Sequence, residues 1–196
     1  MNKVLVVLLA GMLTLVHDTA FGQRFGGDYG AGAGFWLLYI NPGVDASESF
    51  GKDLGNIAAL GGRLFFQTGR FRLGGAAFGG SFVDEGVNEA GFKVSGGLSA
   101  AGITAEYLAV QQNLEVIFGG MFGGGTLNIE EQLDVTSGVE TLRRRRQSIF
   151  IGYPWARIGY NPAPFINVGF ELGYLLGTEG VGGPAIGLDI LVGLIP

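Results

Sequence analysis

The chain has no cysteine, and its only histidine is His17, so neither a disulfide framework nor thiolate chemistry is available to it. A zinc site would lack both of its favoured ligand types. Beyond the first residues there is no charge-free apolar run of the length a membrane-spanning helix needs, and each glycine in a helix interior would cost about 1 kcal/mol. Charged residues are scarce, at 15%. With a net charge of -5 and cations that are mainly arginines, nucleic-acid binding is disfavoured.

What the chain has in excess is glycine, 38 residues of 196, together with 47% hydrophobic residues that include 15 Phe and 6 Tyr. An ordinary glycine share is about 7%, so low complexity and membrane β-structure are the two compositions that fit. Disorder does not, because the aromatic and β-branched side chains offer ample surface to bury. The length is that of one domain.

Met1 to Gly22 reads as a secretory signal peptide: Lys3 supplies the positive start, Val4 to Val16 the apolar stretch, and Ala20-Phe21-Gly22 a small-x-small cleavage site. About 13 apolar residues fall short of the roughly 20 of a spanning helix. The mature chain, residues 23–196, is then expected to begin at Gln23, and with no cysteine following it is not a lipoprotein.

The rest divides into segments of period-two alternation separated by turn residues, the signature of transmembrane strands. Eight are predicted: Tyr29 to Ile40, Ile57 to Gln67, Arg70 to Val83, Phe92 to Ala109, Leu114 to Ile129, Ser148 to Asn161, Phe165 to Leu176 and Ala185 to Ile195. Tight turns at Thr68-Gly69, Gln111-Gln112 and Pro162-Ala163-Pro164 alternate with longer polar loops at Asn41 to Asn56, Asp84 to Gly91, Glu130 to Gln147 and Gly177 to Pro184. Short turns on the periplasmic side and long loops outside are the habit of outer-membrane barrels.

Pairing across the turns puts like with like. Around Thr68-Gly69, Phe66 is expected opposite Phe71 and Leu64 opposite Leu73, with Arg63 and Arg72 on the other face. Around Gln111-Gln112, Tyr107 meets Val116 and Ala105 meets Phe118, with Glu106 and Glu115 diagonally adjacent on the opposite face. Around Pro162 to Pro164, Tyr160 meets Ile166, Ile158 meets Val168 and Ala156 meets Phe170, while Arg157 and Glu171 face away. In the last strand Ile186, Leu188, Ile190, Val192 and Leu194 oppose Gly187, Asp189 and Gly193.

One face is therefore bulky and apolar, the other glycine-rich and ionic. A soluble barrel would need the reverse sense; an apolar band against lipid is the simpler account. The expected fold is all-β, an eight-stranded antiparallel up-and-down transmembrane β-barrel in the outer membrane of a Gram-negative-type bacterium. A soluble periplasmic β-sandwich is the competing architecture. Alternation changes phase near Gly96-Gly97 and near Gly123-Gly124-Gly125, as at bulges or at strand ends rising above the membrane.

On this architecture residues 23–196 resemble the eight-stranded barrels of the OmpA transmembrane type, which often carry an ionic network in a filled lumen. Runs such as Arg70-Phe71-Arg72-Leu73-Gly74-Gly75 and Phe118-Gly119-Gly120-Met121-Phe122-Gly123-Gly124 also resemble glycine-rich exported proteins of unassigned function. The resemblance implies outer-membrane lipid and the barrel assembly machinery as partners, although the chain ends Leu194-Ile195-Pro196 and not in the aromatic residue usual for such barrels.

The barrel lipases, palmitoyl transferases and proteases that resemble this scaffold all depend on a histidine, which the mature chain lacks, so no catalytic residue is assigned. No cofactor is expected: the glycine runs lie in strands and are not followed by Gly-Lys-Ser/Thr, as a phosphate loop requires. Seven in-strand charges, Arg63, Arg72, Glu106, Glu115, Arg157, Glu171 and Asp189, share the narrow face at similar depth. An ion network filling the lumen is the first reading of them. A catalytic or proton-conducting carboxylate pair, Glu106 with Glu115, is the second.

The run Arg143, Arg144, Arg145 and Arg146, preceded by Glu130, Glu131, Asp134 and Glu140, reads either as a solvated loop face or as a contact for lipopolysaccharide phosphates. Tyr39, Tyr107, Trp155, Tyr160 and Tyr174 are expected in interfacial girdles, with core packing as the alternative. Function then reads as a non-enzymatic, monomeric barrel with a structural or surface-contact role. The alternative is a transport or ligand-binding barrel, in which Gly74, Ala76, Ser95, Gly119 and Gly125 leave the outer half of the lumen roomy for a small apolar ligand or narrow channel.

Overall fold

The computed structural model describes residues 29–43, 51, 54–111, 113–135 and 138–194, without the side chains of 133–142 and 194. The expected signal peptide lies outside the described residues. Eight long strands run β1 (Tyr29–Ile40), β2 (Ile57–Thr68), β3 (Phe71–Phe82), β4 (Lys93–Gln111), β5 (Leu114–Val135), β6 (Gly138–Ala163), β7 (Ile166–Gly177) and β8 (Gly182–Leu194). Each is antiparallel to the next, and β8 returns to β1, from Ala31 opposite Leu194 to Ile40 opposite Ala185. The sheet thus closes on itself and leaves no long edge unpaired. The alternative of a β-sandwich is corrected by that closure. A two-residue bridge, Gly86–Val87, pairs with Val94 and Lys93 at one rim.

Side chains alternate in and out along every strand. Among the described residues, thirty large apolar side chains point outward and are exposed, Phe35 at 70% and Ile103 at 71% among them. A soluble monomer does not sustain an apolar surface of that extent, whereas a bilayer requires it. The fold is therefore a transmembrane barrel. The short connections of β2–β3, β4–β5 and β6–β7 lie at the end of the barrel that holds Tyr29 and Leu194, and the remaining connections at the other.

All three predicted hairpin registers are two residues off. Phe66 pairs with Leu73, Tyr107 with Phe118 and Tyr160 with Val168. Since the side-chain period is two, every residue keeps its predicted face. The turn of β2–β3 is Gly69-Arg70, with Gly69 at φ 55, because a two-residue hairpin loop takes glycine at its positive-φ first position. In the other two hairpins, register shifts at Leu108/Val110 and Tyr160/Ala163 absorb the extra residues.

The connections differ too. Most of Glu130 to Gln147, expected as a loop, is strand: β5 and β6 continue as a paired ribbon to Val135 and Gly138. The Gly177 to Pro184 loop shrinks because β8 begins at Gly182. No register shift accompanies the predicted phase changes near Gly96 and Gly124; shifts occur instead at Leu108/Val110 and Glu131/Gln132. What changes there is the lumen's chemistry. In the outer half the inward positions are apolar, including Leu98, Leu127 and Ile129, so polarity inverts while geometry does not.

Candidate functional site

The inward face of the short-turn half collects all seven predicted charges into one network. Arg63 reaches Glu106 at 3.2 Å, Glu171 at 2.6 Å and Asp189 at 2.9 Å. Asp189 also accepts from Arg157 Nε at 2.8 Å, and Arg157 lies 3.8 Å from Glu115, which pairs with Arg72 at 3.2 Å. Every member is buried. Burying charge costs several kcal/mol per ion unless partners and hydrogen bonds replace water; here neutral side chains supply further partners, while Arg63 Nε, Arg72 Nη1 and Arg157 Nη1 make no hydrogen bond. Arg72 Nε donates to Gln67, Arg157 to Asn167, and the Asn161 amide to Glu115.

Above this layer sits an aromatic one. Trp36 Nε1 and the Tyr153 hydroxyl both donate to Glu171 Oε1 at 3.0 Å, and the Arg63 guanidinium lies 4.4 Å from the centre of the Trp36 ring. Trp36 packs in turn on Phe78, Tyr153 and Trp155. Beyond these the lumen is closed by Leu38, Ile40, Leu98, Leu127, Ile149 and Ile151.

Three expectations are corrected by this packing. Glu106 lies opposite Gly119 and Glu115 opposite Gly159, so the two carboxylates are not diagonal neighbours; each is held by a different arginine, which removes the geometry of an acid–base pair. Trp155 is inside the lumen and not in a girdle, whereas Tyr39, Tyr107, Tyr160 and Tyr174 are outward and exposed. The outer half of the lumen is not roomy. A Cβ on Gly74 would meet the Leu64 carbonyl at 1.9 Å, Gly119 abuts Glu106 and Trp155, Gly125 abuts Ile151, Ala76 is buried, and Ser95 points outward.

The four arginines lie on the β5–β6 ribbon and alternate between its two faces. Arg144 and Arg146 continue the outer wall of the barrel, and Arg143 and Arg145 its inner wall. Arg144 pairs with Glu130 at 3.0 Å and also donates to Asn128; Arg143 approaches Glu131 at 4.0 Å. Glu130 is held below the usual carboxylate range, chiefly by the Asn128 amide that donates to it; burial opposes this, and the Arg144 charge and the Gln132 amide add smaller pulls in the lowering direction.

Solved structures share this architecture. The barrel superposes on Ail, the attachment invasion locus protein of Yersinia pestis, in complex with the heparin analogue sucrose octasulfate, with a TM-score of 0.54 at 11% identity over 85% of this chain and 98% of that one. The N-terminal β-barrel domain of Pseudomonas aeruginosa OprF matches with a TM-score of 0.51 at 16% identity, over 84% and 96%. The chain shares their fold. No family model and no curated protein matches the sequence.

Sequence reasoning missed Trp36, Gln67, Tyr153, Asn161 and Asn167 as parts of the network. Strand parity was the available signal for most of them. Gln67 shares its face with Arg63, Asn167 with Glu171, and Tyr153 with Arg157, while Trp36 follows Gly30, Gly32 and Gly34 on the narrow face of β1.

Proposed function

We propose that the chain is a non-enzymatic outer-membrane barrel with a structural or surface-contact role, exported by its signal peptide and working as a monomer. The observation that carries this reading is the doubly closed lumen, an ionic layer of three arginines and four carboxylates under a plug of aromatic and aliphatic side chains. Such an interior holds the barrel rigid and offers no continuous aqueous path. The lack of histidine and cysteine after His17 further supports a role without chemistry.

What remains available for contact is the outside. The arginine run from Arg143 to Arg146 suits phosphate groups of lipopolysaccharide, since guanidinium forks bind such oxyanions in pairs of hydrogen bonds. A barrel of the same fold, Ail, occurs in complex with a sulfated sugar, which supports a polyanion-facing surface. In planar bilayers the purified protein should give no single-channel steps above the bare membrane. Regular conductance steps would replace this reading by a transport barrel.

A further inference from the structure

The lipid-facing wall is not uniform around the barrel. On β7 and β8 the outward positions are mostly bulky, as in Phe170, Leu172, Tyr174, Ile186 and Leu188. On β3, β4, β5 and β6 the same belt carries Gly75, Ala77, Ala101, Gly120, Gly124 and Gly152. Gly120 and Gly152 line a groove of about 650 Å³ between Leu73, Ile103, Phe122 and Leu176. A second groove, about 530 Å³, opens on the same four strands nearer the outer rim, lined by Ser81, Ser95, Ser99, Thr126, Asn128 and, at its head, Arg144 with Arg146. Register sets the two apart by one row: Ala77, Ala101, Gly124 and Phe150 lie between the row of Gly75, Ile103, Phe122 and Gly152 and that of Gly79, Ser99 and Thr126.

The barrel's own sterics do not require those outward glycines. A Cβ would find its nearest neighbour at 3.5 Å on Gly75, 3.4 Å on Gly120, 3.7 Å on Gly124 and 3.8 Å on Gly152, all ordinary contact. Glycines facing inward on the same strands differ, with Gly123 at 2.0 Å and Gly102 at 2.4 Å from carbonyl oxygens. A lipid-facing position gains by carrying an apolar side chain, at about 25 cal/mol per Å² removed from water, so an outward glycine that needs no space forgoes that gain. The groove that Gly120 and Gly152 line is shaped for something outside the chain.

We propose that this wall seats one phosphorylated, acylated glycolipid of the outer leaflet, with its phosphate at Arg144 and Arg146, its sugar against Ser81, Ser95, Ser99, Thr126 and Asn128, and an acyl chain in the groove beneath. The inference rests on the surface-contact reading above and narrows it to two of the four arginines. Charge complementarity names the occupant. Arg146 has no ion-pair partner among the described residues, and Arg144 keeps one face beyond Glu130. Glu85, the carboxylate lining the upper groove, accepts from the Gly96 amide. Five hydroxyl and amide side chains beside two guanidiniums fit a phosphorylated sugar better than the single phosphate of a phospholipid. Depth agrees as well: from Asn128 to Gly120 the strand descends about 26 Å at ~3.3 Å per residue, or close to 20 Å along the membrane normal for a ~45° tilt, enough for a headgroup above one leaflet of acyl chain.

Native mass spectrometry of the detergent-purified full chain, titrated with bis-phosphorylated hexa-acylated lipid A, tests this. One lipid A per barrel is expected. The double variant Arg144→Gln/Arg146→Gln and the groove-filling Gly152→Leu should each lower its occupancy at least tenfold, while Arg143→Gln/Arg145→Gln should leave it unchanged; heat-modifiable gel migration verifies that each variant folds. Equal occupancy by phosphatidylglycerol, insensitivity to Gly152→Leu, or a dimer that Gly152→Leu dissolves would overturn the seat. Loss of binding only in Arg143→Gln/Arg145→Gln would overturn it too while leaving a lipopolysaccharide contact in place, so the two readings fail separately.

Discussion

Arg63 shows most directly how the interior is held. Its guanidinium serves Glu106, Glu171 and Asp189 at once and lies against the Trp36 ring, so four strands meet on one side chain. Removing it strands three carboxylates in a space that water fills poorly. Arg63→Ala is therefore expected to destabilise the folded barrel by about 3 to 5 kcal/mol, seen as a lowered urea midpoint in lipid vesicles, whereas an unchanged midpoint would mean the network adds no cohesion. The seven charges were legible in the sequence because they lie within the predicted strands and share one parity. Trp36 and Tyr153 were missed although their parity sets them with the ions, because an aromatic side chain in a barrel has two homes, the interface and the lumen, and composition alone does not choose between them.

At the scale of a strand, face outweighs residue type. Gly123 and Gly124 are neighbours on β5 and identical in sequence terms, yet a Cβ on the first meets the Ala101 carbonyl at 2.0 Å and a Cβ on the second meets only the Ile149 carbonyl, at 3.7 Å. Gly123→Ala should cost about 1 to 3 kcal/mol by overpacking, and Gly124→Ala should be neutral or stabilising by up to ~1 kcal/mol. Paired urea titrations check both, and equal effects would contradict the assigned faces. Strand parity was readable from sequence because, over much of each strand, outward bulk alternates with inward glycine or charge. Register was not, because a slip of two residues preserves every face and only the turn geometry at Gly69 and the bulges after Leu108 and Tyr160 distinguish the alternatives. The β5–β6 ribbon was read as a loop because it rises beyond the apolar belt; cross-strand pairs such as Glu130 with Arg144 were the signal left in it.

For the molecule as a whole, everything depends on which side of the sheet is in contact with acyl chains. The closed ring, the ionic lumen and the uneven outer wall all follow from bulky outward residues and enclosed charges. The native absence of cysteine makes that assignment open to direct measurement by single-cysteine spin labels placed one at a time from Val168 to Tyr174 in reconstituted bilayers. Collision with dissolved oxygen should be high at Val168, Phe170, Leu172 and Tyr174, and low for both oxygen and a water-soluble nickel reagent at Gly169, Glu171 and Gly173. Oxygen maxima at the odd positions, or nickel access along the whole strand, would contradict the account.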